Sequence, residues 1–222
     1  AGCGVPVAKH GNKAVSSKSG AADVLSSLGI KLDCNMSLLE RALAEANITF
    51  LMAPRHHAAM RYVAPVRAAL GVRTIFNLLG PLSNPALVKR IMVGVFDESY
   101  CASFANVLAQ LGTTHAWVVH GADGLDEVST TGKTHVAALN NGKITEFTIS
   151  PDDIGLRTAS LDQLRGGDGD HNARYLRALL EGETGPYHDV VLLNAASALV
   201  AGGYAEDLQK AATQAQEALD SG

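Results

Sequence analysis

Apolar positions recur along the chain with two different periods, which together predict strands interleaved with helices. Short apolar runs bounded by glycine or polar residues are typical of buried strands, and apolar positions recurring every three or four residues are typical of helices. The predicted strands are 5–8, 49–52, 90–96, 115–120, 134–139 and 144–149. The predicted helices are 21–28, 37–46, 58–70, 74–79, 99–111, 171–180, 190–201 and 205–220. This order predicts an α/β fold in which helices flank a central, mainly parallel or mixed sheet.

Local capping and turn signals predict several element boundaries. Ser37-Leu38-Leu39-Glu40 matches a capping box, so we expect Ser37 to cap the helix that follows. Gly80-Pro81 is expected to end the short helix before it, and Asp170 is expected to cap the helix after it. Asn140-Asn141-Gly142, between two apolar runs, favours a tight β-hairpin.

Composition and charge narrow the class of protein. Hydrophobic residues make up 47% of the 222 residues and charged residues 18%, so the chain can bury a core and is not disordered. The formal net charge of −4 argues against a general nucleic-acid binder, but it is compatible with a local basic pocket. Cys3, Cys34 and Cys101 are an odd set without a C-x-x-C pair. With no signal-peptide or membrane-spanning pattern, they favour a reduced, cytoplasmic protein.

A basic loop follows the first predicted strand. The segment from Lys9 to Gly20 contains three lysines, three serines and two glycines between a strand and a helix. Glycines let backbone amides approach a phosphate, serine hydroxyls add donors, and lysines supply charge. The segment is not a Walker loop, and a flexible basic surface loop is the alternative interpretation.

An acidic loop follows the predicted strand 115–120. It carries Asp123, Asp126 and Glu127. Mg²⁺ prefers oxygen ligands and is often held by one or two carboxylates together with substrate phosphates. Asp and Gly also favour turns, and an acidic turn is the better explanation of this loop taken alone.

A third group lies between residues 53 and 85. His56-His57 has no third ligand at a fitting spacing, which argues against a zinc site. Arg67 could bind both oxygens of a substrate carboxylate with its forked guanidinium, although a surface or helix-pairing arginine is the commoner case.

In this order the three groups resemble one family, the anthranilate phosphoribosyltransferases, over essentially the whole chain. The stretches that carry the resemblance are Gly4–Asn12, Ser16–Leu25, Phe50–Arg67, Arg73–Pro85, Val119–Glu127 and Leu192–Ala196. Arg73–Pro85 and Gly124-Leu125-Asp126-Glu127 are the specific ones.

The resemblance implies a fold and a reaction. It implies a two-domain plan of the nucleoside phosphorylase and phosphoribosyltransferase type, with the active site between the domains. Residues 1–52 and 86–222 would form the α/β domain, and 53–85 would contribute helices to a smaller helical domain that also forms a homodimer. The implied reaction transfers phosphoribose from phosphoribosyl pyrophosphate (PRPP) to the amine of anthranilate, with Mg²⁺, in tryptophan biosynthesis.

The resemblance also implies roles for individual residues, by position. The residues expected to bind PRPP are Lys9, Asn12, Ser16, Ser17 and Lys18. The residues expected to bind anthranilate are His10, Asn12, His57, Arg67, Gly80 and Pro81. Asp126 and Glu127 are expected to hold Mg²⁺, and no single residue is expected to act as a catalytic base.

The sequence departs from the family pattern in two respects. The family's glycine-rich GTGGD motif and Asn-x-Ser-Thr segment do not precede Val5, so we expect a fragment that is inactive alone. Ala58 stands where the family usually has proline.

Two alternative functions are open. A pyrimidine nucleoside phosphorylase shares the two-domain plan, and a non-catalytic relative could bind nucleic acid. The Asp126-Glu127 pair argues against both alternatives, and the net charge argues against nucleic-acid binding.

Overall fold

The structure, a computed structural model, describes residues 1–13, 18–72 and 74–222. Within these ranges the chain forms strands and helices in an α/β order. The strands are β1 (Val7–Gly11), β2 (Ile48–Met52), β3 (Arg90–Gly94), β4 (His115–Gly121), β5 (Thr134–Asn140) and β6 (Lys143–Ile149). The helices are α1 (Ala21–Ser27), α2 (Met36–Ala46), α3 (Ala53–His56), α4 (Met60–Leu70), α5 (Phe76–Leu82), α6 (Cys101–Gln110), α7 (Gly169–Leu180), α8 (Pro186–Ala201) and α9 (Leu208–Ser221). Short 3₁₀ helices occupy Glu98–Tyr100, Pro151–Ile154 and Leu161–Leu164.

The chain divides into two compact units. The first contains Cys3–Leu87 and Gly166–Leu176, with Ala1. The second contains Val88–Arg165 and Arg177–Gly222, with Gly2. The assignment of 53–85 to a separate helical domain stays a prediction.

The first unit is built on a parallel pair of strands, β1 and β2. Their register runs from Val7 opposite Ile48 to Gly11 opposite Met52. β1 therefore begins two residues later than the predicted strand 5–8, and it continues through residues that were predicted as loop. Backbone pairing requires no apolar side chain, so polar residues can continue a strand at a sheet edge.

The second unit contains a four-stranded mixed sheet in the order β3-β4-β5-β6. β3 and β4 are parallel, and the other two pairs are antiparallel. The predicted hairpin is confirmed: Asn141 and Gly142 both have positive φ, at 47° and 86°. Two left-handed residues in a two-residue loop match the right-handed twist of the flanking strands.

Helices cover both faces of this sheet. Trp117, Val119 and Val136 belong to one buried cluster with Leu193 of α8. Because side chains alternate along a strand, the neighbouring residue Val118 points to the other face. α6 packs against β4 and β5 there. The predicted α/β class with a mixed sheet flanked by helices is confirmed.

The helix caps differ from the sequence prediction. Asn35, and not Ser37, caps α2: its side-chain oxygen accepts the amide of Leu38 at 3.0 Å. Asp168, and not Asp170, accepts the amide of His171 at 2.8 Å near the start of α7. In both cases two suitable capping side chains lie two positions apart, and the path by which the chain enters the helix decides between them.

Gly80 and Pro81 lie inside α5, although the sequence predicted that they end the helix. Pro81 has no amide to donate, so the last turn needs other donors. Ser83 supplies them, because its amide donates to Gly80 at 3.1 Å and its hydroxyl donates to Leu79 at 2.7 Å.

The longest of the described helices is α8, with 16 residues, and its apolar stretch is largely buried as predicted. Over the ranges that the structure describes, no helix combines the length and apolar character needed to cross a membrane.

The cap of α2 is testable by two alanine substitutions. Asn35→Ala should lower the free energy of unfolding by about 1 kcal/mol, because the first turn loses the acceptor for an amide. Ser37→Ala, the matched control, should have a clearly smaller effect, since the hydroxyl of Ser37 only donates to Asn35 at 2.9 Å. Urea unfolding measures both, and an equal or larger loss in Ser37→Ala would contradict the assignment.

Candidate functional site

The predicted PRPP-binding residues that the structure describes lie at the end of β1 and in the loop after it. Lys9, Asn12 and Lys18 are solvent-exposed. The carbonyl of Asn12 accepts the amide of Ala22 at 3.3 Å, which ties the start of the loop to α1. Ser16 and Ser17 fall outside the described residues. The strand end and the loop therefore present two lysines and an amide to solvent from an anchored position.

A pair of histidines lies beside this strand end. Nε2 of His10, on β1, lies 3.1 Å from Nε2 of His57, which follows α3. Their ring centroids are 5.0 Å apart in an edge-to-face arrangement. His10 also forms a hydrogen bond with the backbone of Gly80 in α5. Three predicted anthranilate-binding residues from three separate segments are thus in contact.

The pKa of His10 is lowered from its ordinary value of 6.5. Burial is the main cause, the neighbouring His57 and His56 lower it further, and only the hydrogen bond to Gly80 raises it. His10 is therefore neutral at neutral pH. Between its lowered pKa and 6.5 the unfolded chain binds the proton more readily, so His10 removes stability as the pH falls through this window.

Arg67 lies on α4, and its guanidinium carbon is 5.6 Å from the ring centroid of Phe76 in α5. The residue is half-buried, and a guanidinium on an aromatic face keeps its in-plane donors available. Gly80 and the half-buried Pro81 lie on the same helix as Phe76. A Cβ added at Gly80 would meet no atom within 4 Å, so glycine is not required there by packing.

Asn84 is a structural contributor that the sequence did not single out. Its side-chain amide donates to the carbonyl of Ala8 at 3.1 Å, which joins the segment after α5 to β1. An asparagine in a Ser-Asn-Pro turn carries no signal of a partner 76 positions away. The contact helps hold α5, and with it Gly80, against the strand that carries His10.

The acidic loop lies in the second unit and is folded around Asp123. This carboxylate accepts the amide of Leu125 at 3.0 Å and the hydroxyls of Ser129 and Thr131. Burial acts to raise the pKa of Asp123, but these hydrogen bonds outweigh it and leave the pKa lowered. Asp123 is thus ionised and engaged by its own loop.

Asp126 and Glu127, the predicted metal pair, are exposed. Gly94, at the end of β3, lies so close that an added Cβ would overlap the backbone carbonyl of Asp126. Adjacent exposed carboxylates are suitable donors for a hard cation such as Mg²⁺. Across the described parts of the chain, no three His, Cys, Asp or Glu side chains gather in a way that could hold a metal. The assignment of Asp126 and Glu127 to a metal site stays a prediction.

Polar loops that follow the carboxyl ends of strands are typical of ligand-binding sites in α/β domains. The chain belongs to the glycosyl transferase family: the sequence model described as "Glycosyl transferase family, a/b domain" matches residues 1–222.

Individual relatives narrow the resemblance within that family. Anthranilate phosphoribosyltransferase of Rhodospirillum rubrum is 56% identical over 222 residues, which is 100% of this chain and 64% of that protein. The enzyme of the same name from Rhodopseudomonas palustris is 57% identical and is covered to 66%. The chain thus spans a little under two thirds of the length of these relatives.

Solved structures agree in fold. The anthranilate phosphoribosyltransferase of Thermus thermophilus superposes with a TM-score of 0.93 at 43% identity, over 100% of this chain and 66% of that one. The Saccharomyces cerevisiae enzyme in complex with PRPP and Mg superposes with a TM-score of 0.87 at 30% identity, over 99% and 63%. These names confirm the resemblance drawn from the sequence and do not favour the nucleoside phosphorylase or the nucleic-acid-binding relative.

The state of the histidine pair is testable by NMR. In a pH titration the His10 ring, assigned with His10→Gln, should titrate below 6.5 because it is partly buried beside His57. His57→Gln should move the midpoint upward, since it removes the neighbouring ring. His171→Gln is the control: it removes a histidine of the same unit that stacks on Tyr175 instead. A His10 midpoint at or above 6.5 in the unsubstituted protein would contradict the arrangement.

Proposed function

We propose that the protein containing this chain transfers phosphoribose from PRPP to the amine of anthranilate, forming N-(5-phosphoribosyl)anthranilate and pyrophosphate. The observation that carries the proposal is the 56% identity over all 222 residues with a relative of that name. The Saccharomyces cerevisiae structures, one with PRPP and Mg and one with 4-fluoroanthranilate, support the substrate classes. Assembly as a homodimer remains part of the prediction.

For anthranilate, the proposed binding residues include one fixed positive charge, that of Arg67. Arg67 would bind the carboxylate with its guanidinium fork. His10 and His57 would face the aromatic amine, with Asn12, Gly80 and Pro81 lining the same side. An aromatic amine is already unprotonated near neutral pH, and the neutral His10 ring would leave it so. The amine can then attack without a strong base.

For PRPP, the proposed contacts are electrostatic. Lys9 and Lys18 would pair with phosphate oxygens, and Asn12, Ser16 and Ser17 would add hydrogen-bond donors. Bond breaking at C1 of the ribose leaves a cation-like carbon and builds negative charge on the departing pyrophosphate. Fixed positive groups near that charge stabilise the transition state more than the ground state.

Asp126 and Glu127 are the residues that would hold Mg²⁺. When bound, the ion would neutralise charge on the pyrophosphate oxygens. Asp123 is not proposed as a ligand, because its carboxylate already accepts three hydrogen bonds from its own loop. The chain's own contribution is to orient two substrates, and such positioning alone can supply a large part of a rate enhancement.

The proposed reaction is testable by the loss of anthranilate fluorescence in the presence of PRPP and Mg²⁺. The protein that contains this chain should consume anthranilate. Omission of PRPP, and addition of EDTA, are the controls. No loss of fluorescence, together with phosphorolysis of thymidine or uridine, would replace the proposal with the nucleoside phosphorylase alternative.

The role of Arg67 is testable on the same enzyme. Arg67→Ala should raise the KM for anthranilate about 10- to 100-fold, since a hydrogen-bonded charge contributes about 1.5–3 kcal/mol. The KM for PRPP should change far less. Steady-state kinetics with each substrate varied in turn measures both.

Arg61→Ala is the matched control for Arg67→Ala. Arg61 lies on the same helix, is exposed, and its guanidinium donates to the hydroxyl of Tyr62 at 2.6 Å. This variant should leave both KM values near those of the unsubstituted enzyme. Equal effects of Arg67→Ala on the two substrates would remove Arg67 from the anthranilate site.

A further inference from the structure

The loop that carries Asp126 and Glu127 is anchored on both sides of the pair. Before the pair, the amide of Gly121 donates to the carbonyl of Leu125 at 2.8 Å. The carboxylate of Asp123 accepts hydrogen bonds from Leu125, Ser129 and Thr131. After the pair, Val128 and Ser129 are completely buried. Between these anchors, the two carboxylate residues are exposed to solvent.

The anchor after the pair is a side chain of α8. The side-chain oxygen of Asn194 accepts the amide of Val128 at 3.1 Å, and its amide group donates to the carbonyl of Val128 at 2.6 Å. One asparagine thus pairs with both backbone groups of the residue next to Glu127. This two-point contact fixes the orientation of the peptide groups on each side of Val128, including the one it shares with Glu127.

Apart from these contacts, asparagine is an unfavourable residue at position 194. It lies in a helix whose neighbours Leu192 and Leu193 are buried apolar residues, and asparagine is a weaker helix former than leucine. The Asn194 amide also donates to Val190 within the helix at 2.8 Å. Asn106 in α6 makes that same intrahelical bond, to Ala102 at 2.8 Å, from an exposed position. The contacts to Val128 are what distinguish Asn194.

We propose that Asn194 and Asp123 are positioning residues that set the affinity of Asp126 and Glu127 for Mg²⁺. This inference rests on the proposed function, because it assigns the ion to that pair. Asn194 holds the backbone after the carboxylates, Asp123 holds the turn before them, and the close approach of Gly94 to Asp126 blocks displacement toward β3. A pair held in this way presents both carboxylates without first having to order the loop.

The test uses Asn194→Ala in the complete gene product. The Mg²⁺ concentration for half-maximal activity should rise about 10-fold or more, as when outer-shell partners of metal sites are removed. Saturating Mg²⁺ should restore most of kcat, and the KM for anthranilate should stay unchanged. Hydrogen exchange of the segment 126–128 should become faster, which reports the anchor independently of activity. Asn106→Ala is the matched control and should change none of these.

Thr131→Val provides a second variant if Asn194→Ala does not fold, because it removes one hydroxyl donor to Asp123 and keeps the shape of the side chain. It should shift the Mg²⁺ dependence in the same direction. Faster exchange at 126–128 with an unchanged Mg²⁺ midpoint would overturn the inference, as would unchanged exchange in Asn194→Ala.

Asp126→Asn separates this inference from the proposed function. If that variant keeps the Mg²⁺ midpoint of the unsubstituted enzyme, the metal assignment itself fails, and the inference fails with it. If it raises the midpoint and Asn194→Ala does not, only the positioning role of Asn194 is lost.

Discussion

Both faces and both edges of β4 are covered, and this constrains every element joined to it. Val118 and Val119 are 0% exposed although they point to opposite faces, so β4 can carry no charged side chain along this stretch. A buried strand must also pair its backbone on both edges, which β3 and β5 do. The acidic side chains Asp123, Asp126 and Glu127 accordingly all follow the end of the strand. The chain leaves the sheet at Gly121, and the acidic loop starts there.

Within that loop, carboxylates of the same chemistry lie in different environments. Asp123 is partly buried and surrounded by hydroxyl and amide donors, so its charge is used to hold the turn. Asp126 and Glu127 are exposed to solvent, where their charge costs little and cations can reach it. The separation depends on backbone held from outside the loop, by Gly94 in β3 and Asn194 in α8. A strand and a helix thus hold the two ends of a segment whose carboxylates remain exposed.

In the first unit, two nitrogen-containing side chains likewise differ in charge. His10 is kept neutral by partial burial and by His57, whereas a guanidinium such as that of Arg67 is always charged. The contacts of His10 with His57 and Gly80 join β1 to the segments around α3 and α5. The lowered pKa of His10 depends on that packing.

Much of the secondary structure could be predicted from the sequence, because periodicity and turn chemistry act over a few residues. The order of strands and helices, the Asn141-Gly142 hairpin and the buried run of α8 follow from such local rules. The resemblance in Arg73–Pro85 and in Gly124–Glu127 was equally readable, since it depends on residue identity alone.

The features that could not be predicted depend on partners distant in the sequence. Asn35 caps α2 in place of Ser37, because the direction of the incoming chain selects among equally suitable caps. Asp123 is partly buried and Asp126 is exposed. The two side chains are identical, so residue type alone could not predict this difference. The contacts of His10 with His57 and of Asn194 with Val128 join residues 47 and 66 positions apart. Hydrogen bonds and burial between such positions exist only after the strands and helices have packed, so no local pattern encodes them.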